Sequence, residues 1–244
     1  MSERGKSNMA TTTFAGIYKV PEAARYLHVT SHLPSTYPRP TPHHLMLWMQ
    51  QGITATHLAS ASGRHVEIDF EDLISMRVIY FLHGMGISLG KIREAKTYLE
   101  RLTGHSHPFA TEKLWTETID IFAEIGPLLI TASKSGQLPF LDLVKQDLVN
   151  VHGMTFSRGV ADSWSPRTGI LLKPNIQFGA PCIANTGYPT NSVWRMYLGG
   201  DSIEFLAESY RIQQSQIKQA LDWEDSLAKV TFTRATQTSA LLSR

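Results

Sequence analysis

Three short helical patterns lie between Asn191 and Ala228, each too short to hold itself together in water, so they can fold only by sharing one small core. The first, Asn191 to Leu198, stops at Gly199-Gly200, where glycine accepts the left-handed backbone that closes a helix. Asp201 and Glu204 have capping-box spacing for the second. Its Ile203, Leu206, Ala207 and Tyr210 fall at i, i+3, i+4 and i+7 of one buried face. The third opens at Ser215 and runs through Ile217, Ala220 and Leu221 to Ala228. Such a trio is the arrangement of homeodomain-like bundles. A turn-rich run from Asn175 to Thr190 leads into it.

The other end of the chain is patterned differently. Residues 1–15 are polar, without apolar periodicity, and predict a disordered arm. Tyr18 to Leu27 reads as an extended pair and then a helix with Pro21 at its start, Ala24 and Leu27 facing inward. A second helix, His43 to Gln51, buries Leu45, Trp48 and Met49 and leaves His43, His44, Leu47 and Gln50 on or near the other side. A loop with four prolines separates the two, where a tight turn is expected. Gly63-Arg64-His65 lies between two extended segments, as the tip of a hairpin wing. Two longer helices follow, Glu71 to His83 and then a Ser88-capped helix from Lys91 to Leu102 that buries Ile92, Ala95, Leu99 and Leu102.

Between these regions, Trp115 to Phe122 alternates like an exposed strand, with Pro127 to Thr131 able to return beside it. Phe140, Leu143, Val144 and Leu148 make a helical stripe, and Gly153 to Leu172 mixes short extended pieces with turn residues. The expected fold is mainly α with small β elements. Its parts are the arm, a winged helix-turn-helix domain over 16–106, a β/α connector over 107–165, a helical module over 166–228 and a flexible tail over 229–244.

A chain of 244 residues with 42% hydrophobic content has a real core and is not disordered throughout. The net charge of +2 does not by itself argue for nucleic acid, because phosphate binding depends on clustered cations. The single cysteine, Cys182, excludes an intrachain disulfide and a thiolate metal cage within one subunit, and reads as a small buried hydrophobe. No run is long enough to cross a bilayer, and Met1 to Thr13 lacks the apolar stretch of a secretory signal, so a cytoplasmic location is expected.

Two resemblances give these patterns a context. Phe178, Gly179, Pro181, Thr186, Pro189, Thr190, Gly200, Ser202, Tyr210, Ala220 and Leu221 match a bacterial module catalogued as a domain of unknown function, in which the Phe-Gly-x-Pro turn is buried. Asn185 stands where that family usually has glycine, and Tyr188 where it has a small aliphatic residue, so the loop is expected to survive with altered packing. Pro21 to Leu27, Leu45 to Trp48, Phe70 to Ile74 and Gly86 to Arg93 resemble the MerR-like winged helix-turn-helix. The two in this order resemble the two-domain VapB-type antitoxins of toxin–antitoxin pairs. That resemblance implies a homodimer on operator DNA and a PIN-type ribonuclease as partner.

The natural DNA contacts are Arg25, His43, His44 and Gln50 on the helices and Arg64 and His65 on the wing. Toxin contacts are expected from Arg195, Arg211 or Arg234, since arginine pairs bidentately with carboxylates. The strand at Trp115 to Phe122 offers an edge for dimerisation. No catalytic constellation, cofactor or metal site is expected. Ser88-Leu89-Gly90-Lys91 is an N-cap, Gly84-Met85-Gly86 a turn, and His43-His44 and His105-Ser106-His107 read as surface or phosphate-facing histidines. Two other readings stand beside the antitoxin. One is a stand-alone regulator, which a pocket lined by Trp164, Trp194 and Tyr197 would favour; the other is a structural adaptor without DNA affinity.

Overall fold

A computed structural model describes residues 15–31, 33, 39–54, 58, 59, 66–130, 142, 144 and 153–232. Its centre is set by the helix that is apolar on nearly every side. This helix, α3 (Phe70–Gly84), is buried along almost its whole length, with Leu73, Ile74, Val78, Ile79, Phe81 and Leu82 all out of contact with solvent. Asp69 starts it, its carboxylate accepting from the Asp72 amide at 2.8 Å.

Around α3 pack α1 (Val20–Thr30) and α4 (Leu89–Thr103), with α2 (Pro42–Gln50) laid against α1. The buried faces are largely those the helical period predicts: Ala24 and Leu27 on α1; Leu45, Trp48 and Met49 on α2; Ile92, Ala95 and Leu99 on α4, where Leu102, expected to be buried, is half-exposed because it lies at the end of the helix. The proline-rich loop ends productively. Pro42 takes the first position of α2, and the Thr41 hydroxyl accepts from the His44 amide at 3.3 Å. Arg93 of α4 donates twice to the Gln51 carbonyl, at 3.2 and 2.8 Å, which ties down the end of α2. Strands β1 (Tyr18–Lys19), β2 (Leu58–Ala59) and β3 (Val66–Ile68) form an antiparallel sheet in the order β1-β3-β2, with Ala59 opposite Val66. The expected tip, Gly63 to His65, lies outside the described residues.

The segment read as an exposed strand is helical. Thr111 caps a short helix, α5 (Glu112–Thr116), and α6 (Thr118–Ile130) follows after one residue. At the break the buried Thr118 hydroxyl donates to the carbonyls of Leu114 and Trp115, at 2.7 and 2.9 Å. Residues 127–130, read as part of a returning strand, belong to α6, so the edge expected to serve a dimer does not exist. Of the stripe at Phe140 to Leu148, only Val144 is described among its four apolar positions, as a helical, buried residue.

The connector is part of the main core rather than a spacer. Its hairpin, β4 (Met154–Ser157) and β5 (Val160–Trp164), sends Met154, Ala161 and Trp164 inward. Arg77, buried on α3, lies between the rings of Trp115 and Trp164, 5.4 and 5.5 Å from their centroids. The indole faces receive the buried guanidinium.

The C-terminal trio is α7 (Thr190–Leu198), α8 (Ile203–Tyr210) and α9 (Gln214–Ala228), fed by the strand pair β6 (Ile170–Leu171) and β7 (Cys182–Ile183). As expected, the helices share a small core: Ile183, Val193, Leu206, Ala207, Ile217, Ala220 and Leu221. Two caps sit one or two residues from where the spacing placed them. Ser202, not Asp201, accepts from the Phe205 amide, and Gln213 with Gln216 makes the capping box that opens α9 ahead of Ser215.

Helix α9 outruns its own module. Trp223 and Leu227 enter the main core, where the Trp223 ring lies 5.8 Å from that of Tyr26, and Arg167 stacks over it at 5.5 Å. Arg167 also donates to the Val29 carbonyl at 3.0 Å. Beyond α9, Val230 is buried and Phe232 packs on the main core, so the expected tail is bound at its start. Among the described residues no helix is long and apolar enough to cross a membrane.

Candidate partner-binding site

The turn that leads into the trio is built on glycine. Gly179 has φ +90°, and a Cβ there would stand 2.2 Å from the Tyr18 hydroxyl, which itself donates to the Gly179 carbonyl at 3.0 Å. The turn is thereby stitched to β1, with Ile17 N–H donating to the Phe178 carbonyl at 3.0 Å. Phe178, expected to be buried, is 63% exposed, because a chain bent through positive φ at Gln177, Phe178 and Gly179 turns that ring outward. Pro181 and Cys182 are buried, and burial pushes the Cys182 thiol up to about 11, which leaves it an inert hydrophobe.

Two departures from the family pattern find physical reasons. Asn185 has φ +64°, a left-handed conformation that asparagine tolerates in place of glycine. Tyr188 packs against Tyr210 with the rings tilted by 57° and their centroids 4.8 Å apart. The Thr186 hydroxyl donates to the Ile183 carbonyl and accepts from the Tyr188 amide, and Pro189 precedes the first turn of α7.

Beyond this turn the module buries one side and leaves the other bare. On α7, Val193 is buried, and the Trp194 indole donates to Asp225 at 2.7 Å, anchoring α7 on α9. The last turn of α7 stands clear of the core. Met196, Tyr197 and Leu198 are 37%, 42% and 63% exposed, and Phe205, just across the short corner to α8, is 53% exposed. Tyr210 donates to the Met196 sulfur at 3.2 Å, so the paired tyrosines continue the same surface. Large exposed apolar side chains this near one another in sequence make the corner a candidate interaction surface.

The two arginines of these helices are also exposed. Arg195 is exposed on α7, and Arg211 is exposed at the C-cap of α8 with φ +55°. A non-glycine residue in that region costs about 1–2 kcal/mol, so the fold alone would favour glycine there. Glu204 and Glu208 are also exposed on α8, giving the site a mixed polar surround. Arg234 lies outside the described residues.

A buried acid holds α7 to α9. Glu224 is 8% exposed, burial raises its pKa, and its carboxyl is hydrogen-bonded to the Thr190 hydroxyl. Thr190 Oγ1 is also 3.2 Å from the Pro181 carbonyl. The Thr190 hydroxyl thereby links the acid to the turn that leads into α7. With its folded pKa raised, this acid contributes stability fully at pH below its unfolded value near 4.5, and the contribution is lost as pH rises through the folded value. Glu224→Gln, neutral at every pH and with an amide oxygen that can still accept from Thr190, is expected to match or exceed the parent at about pH 8 and to flatten the pH dependence. Urea midpoints at about pH 5 and pH 8 check this; a loss of about 1 kcal/mol or more at both would contradict it.

On the N-terminal helices, His43 and Gln50 are exposed on α2, and Arg25 is exposed on α1 with its guanidinium over the Phe232 ring at 5.9 Å. His44 is half-buried, and burial, helped by His83 and His43, lowers its pKa, so it offers a neutral imidazole. Arg64 and His65 lie outside the described residues. Trp164, Trp194 and Tyr197 do not line one pocket: Trp164 is in the main core, Trp194 is anchored to α9, and Tyr197 faces solvent.

Residues 170–223 match the family described as "Protein of unknown function (DUF433)", which covers the strand pair, the glycine turn and most of the three helices. The crystal structure of Rv2018 from Mycobacterium tuberculosis superposes with a TM-score of 0.62 at 22% identity. That match spans 84% of this chain and 97% of the other, so the two share a fold. No protein with a curated description matches the chain.

Proposed function

We propose that this chain is the antitoxin of a bacterial type II toxin–antitoxin pair. Its C-terminal module holds a PIN-type ribonuclease inactive, and its N-terminal helices and hairpin sit on operator DNA as a homodimer. The observation that carries the reading is the exposed corner of α7 and α8, with Met196, Tyr197, Leu198 and Phe205, on a module whose Arg195 and Arg211 are also exposed. Aromatic residues and arginine are the usual anchors of protein interfaces. A nuclease centre built from magnesium-binding carboxylates is an acidic target, and a guanidinium reaching it pairs with the groups the metal needs. Retention of Arg211 in a left-handed position supports a use for its side chain outside the fold.

On the DNA side, Gln50 suits adenine, while Arg25 and His43 suit phosphates. A dimer would place two such units on two half-sites. The stand-alone regulator is less well supported, because the three aromatic residues that would have lined its pocket are spread over separate environments.

Co-expression with the neighbouring reading frame tests the proposal. A small nuclease is expected to co-purify with the chain, and the complex to bind operator duplex with an affinity that falls steeply with salt. A neighbour that is no nuclease, or that purifies without this chain, would overturn it.

A further inference from the structure

One side chain of the docking corner carries chemistry of its own. Met196 lies in the last turn of α7, and its sulfur accepts a hydrogen bond from the Tyr210 hydroxyl at 3.2 Å. Tyr210 in turn packs against Tyr188. A thioether is a weak acceptor, so Tyr210 engages one of its lone pairs loosely and leaves the sulfur nucleophilic.

Exposure singles this sulfur out. Of the eight methionines in the chain, Met1 and Met9 lie outside the described residues. Among the other six, Met49, Met76 and Met154 are buried, and Met46 and Met85 are half-buried against the main core. Met196 alone of these six is exposed. Oxidation of sulfur side chains follows access, so the described methionine that a dissolved oxidant reaches first is the one on this corner.

We propose that Met196 is a site of reversible oxidation by a hydroperoxide, and that the sulfoxide blocks docking of the protein partner; the second half rests on the docking role of the corner. The sulfur attacks the terminal oxygen of the hydroperoxide. An S–O bond forms as the O–O bond breaks, and two electrons pass from sulfur to the peroxide. The proton of the transferred hydroxyl moves to the departing oxygen, which leaves as water or an alcohol. The product carries a strong acceptor on a sulfur that already has the Tyr210 oxygen 3.2 Å away, so the hydroxyl must turn to the new oxygen and the tyrosine pair shift with it. Oxidation also makes an apolar side chain polar and chiral, and desolvating a polar group in an apolar contact costs affinity. A bound partner covers the same sulfur, so the free chain is modified and the complex protected. Reductases that act on methionine sulfoxide return the thioether.

Dilute hydrogen peroxide added to the full chain, followed by peptide mass spectrometry, tests the site without any partner. Met196 is expected to gain one oxygen several-fold faster than Met46 and Met85; equal or slower gain would overturn the proposal. Capture of the neighbouring gene's nuclease is then compared, for each protein, with that of its own untreated form. The oxidised parent is expected to bind on the order of 10-fold more weakly, and to recover in step with loss of the Met196 sulfoxide when methionine sulfoxide reductase is added. Met196→Leu, apolar and of similar volume but without sulfur, is expected to show no loss on the same treatment. Undiminished capture by the oxidised parent, or an equal loss in Met196→Leu, would overturn the block on docking. An untreated parent that captures no nuclease instead overturns the proposed function and that block with it, while oxygen gain at Met196 is judged independently.

Discussion

Leu198→Glu combined with Phe205→Glu is expected to abolish capture of the protein partner while leaving the chain folded. Both side chains are more than half exposed, and substitutions at such positions usually change stability by no more than about 0.5 kcal/mol. Their effect on binding is of another size. If each is an anchor worth about 2 kcal/mol or more, losing both weakens the complex on the order of a thousandfold, before the cost of burying two new charges. The helices beneath are held by other groups: Val193 and Leu206 in the small core, Trp194 on Asp225, and Thr190 on Glu224. Circular dichroism and urea midpoints should therefore match the parent while a pull-down of the partner fails. Undiminished capture by the double variant would move the interface elsewhere.

The largest effect on stability is expected from Trp223→Ala, at about 3–5 kcal/mol. Trp223 is fully buried although it lies near the end of the chain, and it fills the space between Tyr26 on α1 and the Arg167 guanidinium. Removing it opens a cavity where the C-terminal helix joins the main core and leaves Arg167 without its ring. Trp194→Ala, at a half-buried position with one hydrogen bond to an exposed carboxylate, should cost distinctly less. Comparison of the two urea midpoints checks the claim. Near-equal losses would mean that the module is held by its own small core alone.

Much of the helical framework is legible from residue spacing, because caps and glycine stops act locally. Ser88 before α4 and the apolar positions of α1 and α2 do what the pattern predicts. The failures have definite causes. Over eight residues, Trp115 to Phe122 alternates like a strand; over twelve, Leu114, Trp115, Thr118, Ile121, Phe122 and Ile125 trace a helical face, and those six are the buried ones. The short window hid the longer period. Asp201 and Ser202 are both competent caps, and which one closes the helix is decided by how α8 docks rather than by side-chain type.

The candidate sites were legible to different degrees. Arg195 and Arg211 follow from chemistry alone, but the exposed apolar corner does not, since exposure of Leu198 and Phe205 depends on where the last turn of α7 ends. The histidines at 105 and 107 were misjudged as surface groups. Their partners Glu71 and Asp72 lie more than thirty positions away in sequence and meet them only through the packing of α3 against the segment after α4. Burial works against a charge on His107, but hydrogen bonds to Asp72 and Glu71 and the nearby Asp69 outweigh it and push the imidazole up to about 10.

The most direct measurement is the activity of the neighbouring gene's nuclease, titrated with this chain at nuclease concentrations well above the dissociation constant. The account predicts a linear fall to zero at a fixed stoichiometry for the parent, and full activity throughout for Leu198→Glu/Phe205→Glu. Activity that is unchanged by the parent chain, or suppressed equally by both, would contradict it.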